Sequence, residues 1–316
     1  MKSIVVVGSI NMDIVATTDQ YPVHGDTVFG HSMQMFSGGK GANQATACAK
    51  LGKQVQLIGA VGRDAFGQEV IRTLTENNVD ISLLTYTESQ ATGCALVTID
   101  KTAENTMLVI KGANDELREE DIIGKFKDVE AGSVLLIQME IPSKTILQAV
   151  KLAKEKEMFV ILDPAPAAGV TIEALQYADV ITPNAQETYE LTGIKIDSIE
   201  SAYKAGVYFD HQLGVSNSII KLGSKGALVY QKGKTFFIDP IPVQAVDTVG
   251  AGDSFAGALA CAVAEGEALE SAAQFAAVVA AMKVTKPGAQ KGLPTLEEVT
   301  AFCQERGLNG YRTQLQ

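Results

Sequence analysis

A chain of 316 residues, 46% hydrophobic and 20% charged, has the length for a large core plus a small appendage and is too apolar for disorder. Its 26 lysines and arginines against 37 aspartates and glutamates leave a formal charge of −11, with no long basic run. Such a surface is not built to neutralise a phosphate backbone, so no nucleic-acid partner is expected.

The first segment, MKSIVVVGSINMD, has one lysine and only a few consecutive apolar residues before Asn11 and Asp13. That is too short for a signal-peptide core and reads as a buried first strand. From there β-rich apolar runs alternate with helical patterns: a helix from Gly41 to Leu51, VQLIGAV, a helix from Phe66 to Glu76, VLLIQM, a helix from Ser143 to Glu155, then MFVILDP. Strands buried on both sides and separated by helices predict an α/β fold in three layers, a mostly parallel central sheet with helices on both faces. The small-residue stretches Ser254 to Ala264 and Ser271 to Met282 are core helices, each cut off by charges well short of the roughly 18 residues that span a bilayer. No membrane association is expected. Cys48, Cys94, Cys261 and Cys303 lie far apart with no Cys-x-x-Cys pair, which fits reduced thiols in a cytoplasmic protein. His24, His31 and His211 show no metal-ligand spacing.

Two segments break the alternation, from about 13 to 36 and from about 92 to 111, because no helix separates their strands. In the second, TGCALVTID and ENTMLVIKG flank a polar turn. Both segments together read as a small accessory sheet inserted into one domain spanning 1–316; the alternative is that they are edge strands of the main sheet.

The chemistry concentrates in DTVGAGDSF, residues 247–255. Gly250 and Gly252 let a ligand approach the backbone, and the helix that follows leaves N–H groups unpaired at its positive end. Such a terminus attracts an anion. A capping role accounts for one aspartate but not for Asp247, Asp253 and both glycines. A phosphoryl group in flight would be stabilised by those N–H donors, each worth about 3 kcal/mol, with Asp253 facing an incoming hydroxyl. The usual phosphate loop is absent: Gly38-Gly39-Lys40 is followed by Gly41, and Gly233-Lys234-Thr235 has Leu228 at the upstream glycine position and reads as a hairpin turn. GSINMD is not a dinucleotide fingerprint either. FSGGKGANQA places glycines, Lys40, Asn43 and Gln44 at a helix start, which suits a polyhydroxylated ligand or is simply a structural turn. Asn11 and Asp13 share a face at the carboxyl end of a strand, where open parallel sheets bind ligands.

Taken together, GSINMD, FSGGKGANQA, VGRDAFG, QME, DPAP, TPNAQE, KLGSKG, DTVGAGDSF and TKPGAQ occur in the order of the ribokinase-like, or PfkB, carbohydrate kinases, and the chain resembles that family end to end. The resemblance implies that Asp253 is the catalytic base and Gly250, Ala251 and Gly252 the anion hole. It matches Asn11, Asp13, Gly39, Lys40, Asn43 and Glu140 to sugar-binding positions. Asn184 and Glu187 match an N-x-x-E motif that organises Mg2+ and phosphate, and Lys221, Gly223, Ser224 and Gly226 a nucleotide-binding turn for ATP. Asp247, with the carbonyls of Val249, Lys283, Lys286 and Gly288, matches a site for an activating K+ ion. Here the chain departs from the pattern, since Gly292 stands where a serine hydroxyl is common. The accessory sheet corresponds to a lid that in the family pairs with its twin, so a homodimer is implied, with Met33, Met35, Leu96, Val97, Met107, Leu108 and Val109 needing a partner surface. The activity implied is ATP-dependent phosphorylation of the 5-hydroxyl of D-ribose. Alternatives are deoxyribose, fructose or nucleoside phosphorylation, or a sugar sensor that has lost catalysis.

Overall fold

Residues Ile4–Val7, strand β1, have no solvent-facing side, and all four side chains are fully buried. Ile4 and Val6 pack with Leu57, Val134 and Leu136, while Val5 and Val7 pack with Leu135 and Ile137. The two-residue period of an extended chain thus feeds two cores from one run of β-branched residues.

The computed structural model describes residues 2–102 and 105–308. After β1 come β2 (Asn11–Thr18), β3 (Gly30–Gly38), α1 (Lys40–Lys50), β4 (Val55–Ile58), β5 (Ala60–Gly62), α2 (Ala65–Glu76), β6 (Thr85–Thr87), β7 (Gly93–Ile99) and β8 (Asn105–Ile110). The second half contains α3 (Glu119–Lys125), β9 (Val134–Ile137), α4 (Ser143–Glu155), β10 (Phe159–Leu162), α5 (Ile172–Leu175), β11 (Val180–Ile181), α6 (Ala185–Thr192) and α7 (Ile199–Leu213). It closes with β12 (Asn217–Lys221), β13 (Ala227–Gln231), β14 (Lys234–Ile238), α8 (Ala251–Ala264), α9 (Leu269–Lys283) and α10 (Leu296–Glu305).

Eight strands form the main sheet in the order β14-β13-β12-β11-β10-β9-β1-β4. It is parallel from β4 to β12, and β13 and β14 add an antiparallel edge. One face is covered by α1, α2, α8, α9 and α10, the other by α3, α4, α5 and α7. The three-layer expectation is met. The hairpin read at Gly233 joins β13 to β14 through Lys232 and Gly233, both at positive φ, as a two-residue turn requires.

A separate four-stranded sheet, ordered β3-β2-β7-β8, contains the two segments that broke the alternation, and they are not edge strands of the main sheet. Its middle pair, β2 and β7, runs parallel, flanked by antiparallel neighbours. Residues 103 and 104, part of the expected polar turn, lie outside the described residues. Met33, Met35, Leu96, Met107, Leu108 and Val109 are exposed, but Val97 is buried because it alternates with Leu96 on the inner face. VQLIGAV, expected as one strand, breaks at Gly59 into β4 and β5, and β5 leaves the main sheet to pair with β6. An added Cβ on Gly59 would lie 2.7 Å from Ile10 Cδ1, so the chain turns there against the β1–β2 connection.

Among the described residues no helix is long and apolar enough to cross a membrane. The small-residue helices α8 and α9 are core elements. Gly257 of α8 meets α1 almost backbone to backbone: an added Cβ would sit 2.7 Å from Ala47 Cβ and 3.0 Å from Gln44 O. Gly257→Val should therefore lower the free energy of unfolding by about 1–3 kcal/mol in urea titrations. An unchanged midpoint would mean that the two helices part freely.

Candidate active site

Helix α1 starts on Gly39, at φ 86°, and runs directly against the turn that links β1 to β2. A Cβ on Gly39 would come within 2.8 Å of Asn11 N, and one on Gly41 within 2.6 Å of Gly8 C. Only glycine permits this approach. It carries Lys40, Asn43 and Gln44 to the carboxyl end of the parallel strands, facing the first turn of α8.

There the two oxygens of the buried Asp253 carboxylate each accept a side-chain amide: Asn43 Nδ2 donates to Oδ2 at 2.9 Å and Gln44 Nε2 to Oδ1 at 3.1 Å. Behind them, Gln290 Nε2 donates to Asn43 Oδ1 at 3.0 Å and Gln138 Nε2 to Gln44 Oε1 at 2.6 Å. Gln44 Nε2 also donates to Asp163 Oδ2 at 3.0 Å, and Asp163 Oδ1 accepts from Thr182 Oγ1 at 3.1 Å. Lys221 Nζ lies 3.3 Å from the same Asp163 oxygen and 3.5 Å from where a Cβ on Gly252 would be. The network holds Asp253 in one orientation beside the start of α8.

That start leaves backbone N–H groups without helical partners. Gly250 sits in the left-handed region at φ 78° with no side-chain cap. Ala251 N donates to Thr248 O at 3.1 Å, and the regular bonding of α8 begins with Ser254 N to Gly250 O at 2.9 Å. The N–H groups of Gly252 and Asp253 thus precede the helix's own bonds. Of the three residues expected in an anion hole, Ala251 has its N–H already engaged.

The second expected set gathers near Asp253. Asn11 is buried, its Oδ1 accepting from Asn114 Nδ2 at 2.8 Å, and Asn114 also braces Ile10 N at 2.8 Å. Glu140 accepts from Ser9 Oγ at 2.5 Å and from Lys40 N at 3.3 Å. Gly38 leaves room for Asp13, since a Cβ there would lie 2.2 Å from Asp13 Oδ2. Burial, with Glu140 and Asp253 nearby, raises Asp13 to a pKa of about 6. Burial also pushes the Asp253 carboxyl above the usual range, opposed by the charge on Lys40. At Lys40 burial works against the charge, but Asp253, Asp163, Glu140 and Glu187 outweigh it and hold the ammonium on.

Asn184 and Glu187 form a reciprocal cap at the start of α6, with Glu187 N donating to Asn184 Oδ1 and Asn184 N to Glu187 Oε2, both at 2.8 Å. Burial raises the Glu187 pKa, against the nearby charge of Lys221. Lys221 ends β12, and Gly223 and Gly226 turn the chain into β13 at φ 62° and 95°, with Ser224 exposed between them. Next to this turn lies a cavity of about 260 Å3 lined by Ala185, Ile196, Ile199, Leu222, Lys225 and Phe237. Among the described residues no three His, Cys, Asp or Glu side chains are grouped to hold a metal directly.

The loop segments expected around a monovalent ion lie together, but Asp247 meets the N–H groups of Val249 and Gly288 rather than their carbonyls. Asp247 Oδ1 accepts from Val249 N at 2.9 Å and Oδ2 from Gly288 N at 2.7 Å. The side chain of Lys283 enters the same place, its ammonium 2.9 Å from Asp247 O and 3.4 Å from Lys286 O. Burial pushes Lys283 down, and Asp247 opposes that shift.

Asp163, Gln138, Gln290, Thr182, Ser9 and Asn114 are participants to which sequence reasoning gave no role. All but Asn114 lay within DPAP, QME, TKPGAQ, TPNAQE and GSINMD, motifs whose polar residues near apolar strands or turns were the available signal.

Residues 1–296 match the model of the pfkB family carbohydrate kinase. The chain is 36% identical to a ribokinase of Haemophilus influenzae over 96% of this chain and 99% of that one. Among solved structures, a ribokinase from Thermotoga maritima superposes with a TM-score of 0.87 at 37% identity, covering 96% of this chain and all of the other. An Arabidopsis thaliana ribokinase complexed with ribose and ATP gives 0.87 at 33% identity, covering 95% and 98%. With the family model matched over nearly its whole length, the chain belongs to the pfkB family of carbohydrate kinases.

Proposed function

We propose that this kinase transfers the γ-phosphoryl group of ATP to the 5-hydroxyl of D-ribose, as one domain whose small sheet is a lid over the sugar. The observation that carries the reading is Asp253, buried and held through both oxygens beside the uncapped start of α8. The sugar hydroxyl gives its proton to Asp253 as its oxygen bonds to the γ-phosphorus, and the bond to ADP breaks. N–H groups at the start of α8 receive the charge on the phosphoryl oxygens. Lys221, between Asp163 and Gly252, lies where it would follow the transferring group.

Asn11, Asp13, Gly39, Lys40, Asn43 and Glu140 would hold the sugar. The preference for ribose over a 2-deoxy sugar would rest on Asn11 Nδ2 and the Asp13 carboxylate, since Asn43 and Asn11 Oδ1 already have protein partners and a missing hydroxyl would leave only the former groups unpaired. Gly223, Ser224 and Gly226 would lie along the nucleotide, with the apolar cavity beside them suited to a flat heterocycle. Asn184 and Glu187 suit a Mg2+ ion held through water rather than directly, because Asn184 Oδ1 and Nδ2 and both Glu187 oxygens are already engaged between the two residues. Bound there, Mg2+ would neutralise charge on the β- and γ-phosphates. The exposed apolar face of the lid, with Met33 65% and Leu108 62% exposed, supports a homodimer. Four cysteines that are all free fit a cytoplasmic setting.

The test is ATP-dependent phosphorylation of ribose, 2-deoxyribose, fructose and adenosine by purified protein with Mg2+. Ribose should be preferred; a clear preference for another acceptor would replace it, and binding of sugar without turnover would make the protein a sensor. Asp253→Asn should lower kcat by about 100-fold or more while ATP and ribose still bind, as isothermal calorimetry would report. Near-normal turnover would remove Asp253 from the base role.

Asp13 gives a pH signature. Its folded pKa of about 6 lies above the ordinary 3.8, so the folded chain holds that proton more tightly than the unfolded chain. Ionised Asp13 therefore destabilises the fold fully above pH 6, progressively less between 6 and 3.8, and not at all below. Asp13→Asn should melt higher than the parent at pH about 8, with the gap closing near pH about 4, while its KM for ribose rises. An unchanged melting gap across that range would place Asp13 in a more solvated setting.

A further inference from the structure

The Lys283 side chain is wholly buried, with 0% exposure, at the last turn of α9. Its ammonium has no bulk solvent. It donates to Asp247 O at 2.9 Å and Lys286 O at 3.4 Å, with Asp247 Oδ2 at 3.7 Å. The loops that supply these oxygens are themselves stitched together: Val246 N donates to Val284 O at 2.7 Å, Asp247 N to the same oxygen at 3.1 Å, and Gly288 N to Asp247 Oδ2 at 2.7 Å. A compact cation beside two carbonyl oxygens, with a carboxylate oxygen close by, takes up oxygens that a monovalent metal ion would otherwise use.

Gly292 completes the picture. A Cβ at this position would lie 2.8 Å from Gly288 O, 3.0 Å from Lys286 O and 3.1 Å from Lys283 Cε. The lysine stem occupies the space that a serine side chain would fill. Two of the expected potassium ligands, Asp247 and Lys286, already turn oxygens to the Lys283 ammonium, while Lys283 O and Gly288 O accept from Lys286 N and Gly292 N. A free ion does not fit this set, because a second cation beside the ammonium would be repelled at contact distance.

We propose that the ammonium of Lys283 is the permanent cation of this site, taking the place of potassium beside the start of α8, and that Gly292 is the residue that makes room for it. The lysine acts as a positioning residue. It holds the Asp247 carbonyl and carboxylate, and through Asp247 the bonds to Val249 N and Gly288 N, in the loop that leads to Gly250. The kinetic part of the test rests on the sugar-kinase reading, whereas the melting part does not.

The experiment compares the parent, Lys283→Ala and Lys283→Met with KCl against choline chloride at constant ionic strength, reading kcat on ribose and the melting temperature. The parent should change by less than about twofold in kcat, and its melting temperature should not respond specifically to KCl. Lys283→Ala should lose about tenfold or more in choline and recover in KCl, with KCl raising its melting temperature as an ion binds the vacated oxygens. Lys283→Met, which keeps the stem and removes the charge, should lose activity without recovery. A parent that gains about tenfold in KCl, or melts higher in it, would overturn the proposal without any variant having to fold. So would a folded Lys283→Ala that is fully active in choline, or that KCl neither stabilises nor restores. Absence of turnover on any sugar would count against the kinase reading alone, since KCl-dependent melting still reports on the site.

Discussion

The site depends on how closely helix α1 can lie against its neighbours. Glycine at 8, 39 and 41 lets its first turn rest on the β1–β2 connection, and glycine at 257 lets its next turns touch α8. Side chains at these points would push α1 away by more than a hydrogen bond tolerates. With α1 held at backbone contact on two sides, Asn43 and Gln44 reach Asp253 and Asp163 at once, and Lys40 lies among the carboxylates that balance it.

That balance is electrostatically costly and chemically useful. Asp13, Glu140, Asp163, Asp253 and Glu187 crowd a partly dry region around Lys40 and Lys221, and burial raises the pKa of Asp13, Asp253 and Glu187. A carboxylate kept from water but supplied with amide donors is poised between accepting a proton and remaining charged. The stability lost at such a position is the usual companion of a preorganised site.

Much of this could be read along the chain because it is written in contiguous motifs. Three-layer architecture follows from strands such as Ile4–Val7, buried on both sides, and the α8 turn announces itself by two glycines around an alanine before an aspartate. What stayed hidden lies between distant segments. Asp163 meets Gln44 across 119 positions and Gln290 meets Asn43 across 247, and no local pattern encodes such partners. The departure of β5 from the main sheet depends on Gly59 turning against Ile10, a tertiary contact that periodicity does not report. Val97 was misplaced because alternation on β7 decides which neighbour turns inward, and composition alone does not. Lys283 was assigned for its carbonyl, whereas its side chain is what fills the loop, a choice of rotamer that sequence leaves open.

The small sheet is rooted directly in this machinery. β2 begins at Asn11, four positions beyond the end of β1 at Val7, and β3 ends at Gly38, two positions before α1 begins at Lys40. The strand that carries Asn11 and Asp13 is therefore also a lever arm, with its pivot at the glycines around position 39. Any tilt of the sheet would swing Asp13 while Asp253, anchored on α8, stayed behind. The distance between these two carboxylates would then read out the sheet's angle, making access to the site and the assembly of its polar groups one mechanical variable rather than two.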